Sequence, residues 1–255
     1  MRLLFLGDIV GTCGREAVVE SVPSLRRELA LDYVIANGEN TAGGKGITPS
    51  QADDLFRCGV DVITGGNHTF QHREVYGYLD ATPAILRPLN YPPGAPGHGV
   101  TRLGDLAVVN LIGRTFMGQD CDDPFRGVDS ALADLADARY VFVDFHGEAT
   151  SEKQAIGWYL DGRVTAVVGS HTHVPTADTR LLPGGTAFCT DAGMCGARDS
   201  VIGDEVPAVV SRFLTQLPTR LRAAHGVAVL NGVLIEADPR TGRATSIERC
   251  DRVLD

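Results

Sequence analysis

Five hydrophobic runs in this 255-residue chain end on residues able to ligate a metal. Asp8 follows RLLFLG, Glu39 and Asn40 follow YVIANG, and Asn67 with His68 follows DVITGG. His146 follows YVFVDF, and His171 with His173 follows VTAVVGS. Short apolar runs of this kind suit buried strands of a largely parallel sheet. Parallel strands bring their carboxyl ends to one edge, where open α/β folds bind ligands. Five distant segments would then deliver carboxylates, amides and imidazoles to one place. Oxygen and nitrogen donors in that mixture suit a pair of divalent metals.

The intervening sequence supports an α/β alternation in a single domain spanning 1–255. Leu3–Gly7, Tyr33–Ala36 and Asp61–Thr64 read as strands, with helices expected over Arg15–Leu29, weakened near Pro23, and Arg73–Leu79. Thr48-Pro49-Ser50-Gln51 supplies an N-cap, a first-turn proline and a capping-box partner for a helix ending near Gly59. Leu106–Ile112, Tyr140–Phe145 and Val164–Val168 read as further strands. Helices are expected over Ser130–Ala136, from a second capping box at Ser151 and Gln154 through Trp158, and over Pro207–Leu221. The Pro/Gly-rich segment 83–102 reads as a loop or irregular connection, with a lid or rim of the site as the alternative. After His173 the turn signals LLPGG and DPRTG and the run Val227–Ile235 point to extended structure.

A net charge of -9 argues against an extended nucleic-acid surface. It does not exclude a phosphate substrate, because bound cations dominate a local field. The six cysteines form no C-x-x-C pair, and no apolar run is long enough to span a bilayer. Reduced thiols and a cytoplasmic setting are the expectation.

The individual motifs differ in weight. Gly7-Asp8 alone fits a helix N-cap as well as a ligand. Glu39, between two asparagines and after a glycine, suits a bridging carboxylate. In Gly65-Gly66-Asn67-His68 the asparagine offers a neutral oxygen ligand, and His68 is expected to point elsewhere and serve as a proton donor. The two imidazoles of His171-Thr172-His173 would share one side of an extended segment. Gly43-Gly44-Lys45-Gly46 lacks the spacing of a P-loop and reads as a flexible loop beside the site, with Lys45 a candidate contact to a substrate phosphate. His72 is a candidate supporting residue, and His98 is expected in solvent.

In order, GD, E-N, GNH, H and G-x-H-x-H resemble the calcineurin-like metallophosphoesterases. Three departures are Val10 where that family carries histidine, Glu39 in place of aspartate, and Thr69 in place of an acid. With GDIVG, NGEN, GGNH, GSHTHV, GGKGIT, DFHGEATSEK and TDAGMCG, the chain is similar to the YmdB-like branch over essentially its whole length. The resemblance implies a four-layer α-β-β-α sandwich. It implies one metal on Asp8, Glu39, Asn40 and His173, a second on Glu39, Asn67, His146 and His171, and His68 as proton donor. Iron leads as the metal, with manganese or zinc as alternatives.

The implied activity is two-metal phosphodiester hydrolysis by a metal-bridging hydroxide. 2′,3′-Cyclic nucleotides lead as substrates, and 3′,5′-cyclic nucleotides and simple phosphodiesters compete. The rival reading is a regulatory or signalling protein whose metal site serves sensing or folding. The chain is compatible with a homo-oligomer, although nothing in the sequence identifies an interface.

Overall fold

The computed structural model describes residues 1–254. The chain begins with β1 (Arg2–Leu6), β2 (Asp8–Ile9), α1 (Gly11–Glu28), β3 (Tyr33–Asn37), α2 (Pro49–Cys58), β4 (Val62–Thr64) and α3 (Val75–Ala81). It continues through β5 (Val100–Leu103), β6 (Leu106–Ile112), α4 (Pro124–Asp134), β7 (Tyr140–His146), α5 (Thr150–Tyr159) and β8 (Ala166–Ser170). The last part holds β9 (Arg180–Leu181), β10 (Ala187–Cys189), β11 (Met194–Ala197), α6 (Val206–Thr215), β12 (Ala228–Leu230), β13 (Gly232–Ala237), β14 (Ala244–Arg249) and β15 (Arg252–Leu254).

Strand periodicity builds the layers. In β1, Leu4 and Leu6 pack with Val18, Val22 and Leu55 of α1 and α2, while Leu3 and Phe5 face the other way. There they meet Val108, Phe142 and Val168 of a second sheet, and Phe5 lies 5.1 Å from Phe142 between ring centroids. The opposite faces of that sheet, Val109, Val143 and Val167, pack against Val128 of α4 and Ile156 of α5. Successive residues of a strand point to opposite faces, so each apolar run covers two cores at once. The result is helix, sheet, sheet, helix, as the family resemblance implies.

The first sheet has the order β14-β13-β1-β3-β4 and the second β5-β6-β7-β8-β10-β9. β1, β3 and β4 run parallel to one another, as do β6, β7, β8 and β10, while β13, β5 and β9 pair antiparallel at their flanks. A third sheet, β15-β12-β11-β2, carries Asp8 beside Met194. A Cβ at Gly7 would lie 1.9 Å from the Gly193 carbonyl oxygen, so only glycine allows the chain to pass from β1 into β2.

Several element boundaries differ from expectation. α1 begins at Gly11 rather than Arg15 and passes through Pro23 in one helix, its N-cap Val10 making no side-chain bond. Asp8 is therefore not a helix cap. α3 lies two residues later than expected. α4 begins at Pro124, because the Asp123 carboxylate accepts from the Phe125 and Arg126 N–H groups. The capping box expected at Ser151 and Gln154 does not form: α5 starts at Thr150, after an Ala149 cap without a side-chain bond. α6 stops at Thr215, where Gln216 turns left-handed at φ 58° ahead of Pro218. The run expected over Val227–Ile235 is broken at Asn231 into β12 and β13.

The capping box at Thr48 and Gln51 is formed in both directions, with Gly59 left-handed at the far end of α2. Replacing Thr48 by alanine leaves the Gln51 N–H without its cap. We expect a loss of about 1 kcal/mol of unfolding free energy. Urea titration followed by circular dichroism measures it.

Candidate metal centre

The inter-sheet layer changes from apolar to polar at the carboxyl ends of its strands. Asn37 continues the Ile35 face of β3, and Thr64 continues the Val62 face of β4. Asn110 follows Val108 on β6, Asp144 and His146 follow Phe142 on β7, and Ser170 follows Val168 on β8. All six are fully buried. Buried polar groups need partners, and these largely supply each other. The Asp144 carboxylate accepts from Thr64 Oγ1, from Asn37 Nδ2 at 3.3 Å and from Ser170 Oγ at 2.7 Å. With the Ser170 hydroxyl committed to Asp144, the His146 Nδ1–H donates to Ser170 Oγ at 2.9 Å. That relay fixes the ring and turns His146 Nε2 toward the next layer of residues.

There the sequence-selected groups converge. His146 Nε2 lies 3.1 Å from Glu39 Oε1, 2.8 Å from Asn67 Oδ1 and 3.1 Å from His171 Nδ1. Glu39, His146 and His171 offer ligand atoms all within 4.8 Å of one another, a spacing that can hold a metal ion. Beside this group, His173 Nε2 lies 3.0 Å from Asn40 Nδ2 and 3.8 Å from Asp8 Oδ1. All eight sequence-selected residues thus meet, in two adjoining sets. The Gly65-Gly66 turn makes the approach possible: a Cβ at Gly66 would lie 2.3 Å from the His146 ring and 2.5 Å from Glu39 Oε2.

Two local expectations are corrected. His68 does not point away: its Nδ1 lies 2.9 Å from Asn40 Oδ1 and 3.2 Å from Glu39 Oε1, and its N–H donates to Glu39 Oε2 at 2.8 Å. The H-x-H segment is not extended either. His171 (φ 102°) and His173 (φ 65°) both adopt left-handed backbone, which costs energy in a non-glycine residue.

A buried brace holds that segment. Asp191 accepts from Lys153 Nζ at 2.6 Å, from the Thr172 N–H at 3.1 Å and from the Gly193 N–H at 2.8 Å. Lys153 also donates to the Ser170 carbonyl at 2.7 Å, and Asp8 Oδ2 accepts the His171 N–H at 3.0 Å. Each imidazole is then oriented from behind. His171 Nε2 faces Glu148 Oε2 at 3.1 Å, and His173 Nδ1–H donates to the Ile202 carbonyl at 2.6 Å.

The electrostatics reflect two carboxylates buried together. Burial raises the Asp8 pKa, and Asp8 Oδ1 has no hydrogen-bond partner. Burial also opposes ionisation of Glu39, but the charge and hydrogen bonds of His146 and His68 outweigh it and hold that carboxyl well below the usual range. For His146 burial favours the neutral ring, yet Glu39 reverses this and raises its pKa to about 9. Burial, then the His146 charge, lowers His171 to about 3. Burial lifts Asp144 to about 6. An unpartnered buried carboxylate oxygen among imidazole and amide groups fits a cation better than a closed hydrogen-bond network.

The centre opens into a cleft of about 280 Å³ that also carries Lys45, Glu148 and Asp204 on its walls. None of the described residues of 83–102 lines this cleft. His72 does not reach the imidazoles; its Nε2–H donates to the Lys45 carbonyl at 3.0 Å. His98 is exposed, as expected. Sequence reading missed Glu148, Lys153, Asp191 and Asp204. Asp144 was legible, since it stands two residues before His146 on the same strand face.

Known proteins share this arrangement of chain. The pattern of the family described as YmdB-like protein matches residues 4–250. A Bacillus subtilis (strain 168) protein named 2′,3′-cyclic-nucleotide 2′-phosphodiesterase is 48% identical over 254 residues, covering 98% of this chain and 96% of its own. The crystal structure of a hypothetical protein from Thermus thermophilus superposes with a TM-score of 0.93 at 44% identity, over 100% of both chains. That of a Mycoplasma pneumoniae phosphatase gives 0.92 at 34% identity, over 100% of this chain and 94% of that one.

Two outcomes follow from the brace and the buried charges. Lys153→Met leaves Asp191 buried without its cation and lowers unfolding stability by about 3–5 kcal/mol. Adding Asp191→Asn recovers part of that loss in the same denaturant titration. In metal-free protein the His146 pKa is raised from 6.5 to about 9, so its contribution to stability is complete below 6.5 and lost as pH rises through about 9. Melting curves of chelator-treated protein between those limits record the decline.

Proposed function

The chain belongs to the YmdB-like family and is a hydrolytic phosphoesterase of the metallophosphoesterase fold, and we propose that it is a two-metal phosphodiesterase whose leading substrates are 2′,3′-cyclic nucleotides. The observation that carries this reading is the convergence of Asp8, Glu39, Asn40, Asn67, His146, His171 and His173 around a buried, unpartnered carboxylate oxygen. The whole chain acts as one catalytic unit on this reading, because its site draws on residues from Asp8 to His173. A cytoplasmic setting is supported by six free thiols. No described helix is long and apolar enough to cross a membrane.

Asp8, Glu39, Asn40 and His173 would hold one ion, and Glu39, Asn67, His146 and His171 the other. Glu39 would be shared by both sets: its Oε1 lies 3.1 Å from His146 Nε2 and 3.2 Å from His68 Nδ1, and its Oε2 accepts the His68 N–H at 2.8 Å. Carboxylate, amide and imidazole donors without thiolate fit iron best on our reading, with manganese or zinc as alternatives. When bound, such ions ionise water at neutral pH and offset phosphoryl charge.

The chain's own groups do the rest. The Ser170–Asp144 relay and Glu148 fix the two central imidazoles with a ring nitrogen facing inward. Among the described residues, His68 is the only imidazole outside both proposed ligand sets that lines the cleft. On this reading it would protonate the departing alkoxide. A small cyclic ester needs no large surface, which suits both the narrow cleft and the acidic chain.

Elemental analysis combined with assays on bis-p-nitrophenyl phosphate and 2′,3′-cyclic AMP tests the reading. Wild-type protein should carry close to two metals per chain and turn over both diesters. Glu39→Gln should lose metal and activity together. His68→Ala should keep its metal and lose about 10²–10⁴-fold in kcat. Metal-loaded protein that cleaves no phosphodiester, or His68→Ala with wild-type kinetics, overturns it.

A further inference from the structure

Of the 23 lysines and arginines in this chain, only two are lysines, Lys45 and Lys153. The chain builds nearly all its cations from arginine, and both exceptions adjoin the metal centre. Lys153 has a packing reason: its ammonium is buried between the Ser170 carbonyl and Asp191, where a compact point charge fits and a planar fork does not. Lys45 is exposed and needs a different one.

Among the described residues, Lys45 is the one lysine or arginine lining the cleft over the candidate metal centre. The other charged walls are acidic: Glu39, Glu148 and Asp204. Its ammonium has no ion pair and no hydrogen bond among the described residues, whereas most other basic side chains here are paired. Its backbone, by contrast, is tied down. The Ala42 N–H donates to Gly46 O at 2.8 Å, the Lys45 N–H to Ala42 O at 3.2 Å, and His72 Nε2–H to Lys45 O at 3.0 Å. A fixed loop therefore presents, in an otherwise acidic cleft, a cation that makes no hydrogen bond or ion pair among the described residues, although its charge is felt by Asp204.

We propose that Lys45 is a substrate-binding residue that captures the anionic phosphoryl group at the cleft mouth. This deepens the phosphodiesterase reading and rests on it. An anion entering past Glu148 and Asp204 meets repulsion, and one unpaired cation on the rim offsets it. The same geometry explains lysine in an arginine-rich chain. A guanidinium on this loop would fork onto the carboxylate of Asp204 across the cleft and be withdrawn from the substrate. The ammonium stays hydrated and available. Because capture precedes chemistry, the contribution of Lys45 falls on KM rather than kcat.

The test uses metal-loaded full-length protein. Lys45→Ala should raise KM for 2′,3′-cyclic AMP and bis-p-nitrophenyl phosphate about tenfold, with kcat within about twofold and a weaker dependence on ionic strength. Calorimetric binding of inorganic phosphate should weaken by a similar factor. Lys45→Arg should resemble Lys45→Ala, and adding Asp204→Asn to it should recover most of the affinity. Unchanged KM and phosphate affinity in Lys45→Ala, or a loss confined to kcat, overturns the proposal. Full affinity in Lys45→Arg alone overturns the reason given for lysine. If wild-type protein cleaves neither diester, the phosphodiesterase reading falls, and the phosphate titration still decides the role of Lys45.

Discussion

Two carboxylates, Asp8 and Glu39, are buried in the same dry corner between the sheets, and the rest of the centre is arranged around that fact. Two like charges taken out of water repel each other and lose their hydration. Only cations close at hand make the arrangement tolerable. In the protein alone His146 supplies that charge, which is why its ring holds a proton so firmly beside Glu39. The partner it supplies is incomplete, since one oxygen of Asp8 remains without a hydrogen bond. The donors around it are those a divalent ion would take, so the electrostatic debt of the fold and the chemistry of the site are one requirement.

The layer architecture decides where that requirement is met. Residues of alternating orientation leave each strand with one face toward helices and one toward the opposing sheet. Leu3, Phe5, Val108 and Phe142 keep the middle of the inter-sheet layer apolar, and Asn37, Asp144, His146 and Ser170 occupy its end. The apolar part excludes water and gives the polar part a rigid floor. The polar part then orients ligands through a serine relay rather than by contact with solvent.

Much of this was legible in sequence because ligand residues sat at the ends of apolar runs, and strand ends are positioned by backbone geometry alone. The eight candidate site residues follow from that, whereas the layer order came from the resemblance to a known family. What escaped depends on contacts between segments distant in sequence. Nothing near Lys153 says that it meets Asp191 beneath the histidine segment, and nothing near Glu148 says that it backs His171. The left-handed turns at His171 and His173 also defeat a strand-based reading, since they are imposed by Asp8, Asp191 and the Ile202 carbonyl. Helix starts were misread for a related reason. Ser151 and Gln154 have the right spacing for a cap, but the chain enters α5 from Ala149, and Glu152 is engaged instead with the N–H groups of Arg114 and Thr115.

The bond between Asp8 and the His171 N–H spans 163 residues of chain. Closing so long a loop is entropically costly and comes late in folding, after local helices and neighbouring strands are in place. A partly made chain, or one with an unzipped terminal strand, would have no ion-binding pocket to offer. An ion bound there would therefore report completed tertiary structure and latch the finished fold. A cell short of the right metal would hold a looser population of the same protein, more open to proteases, before any change in its synthesis.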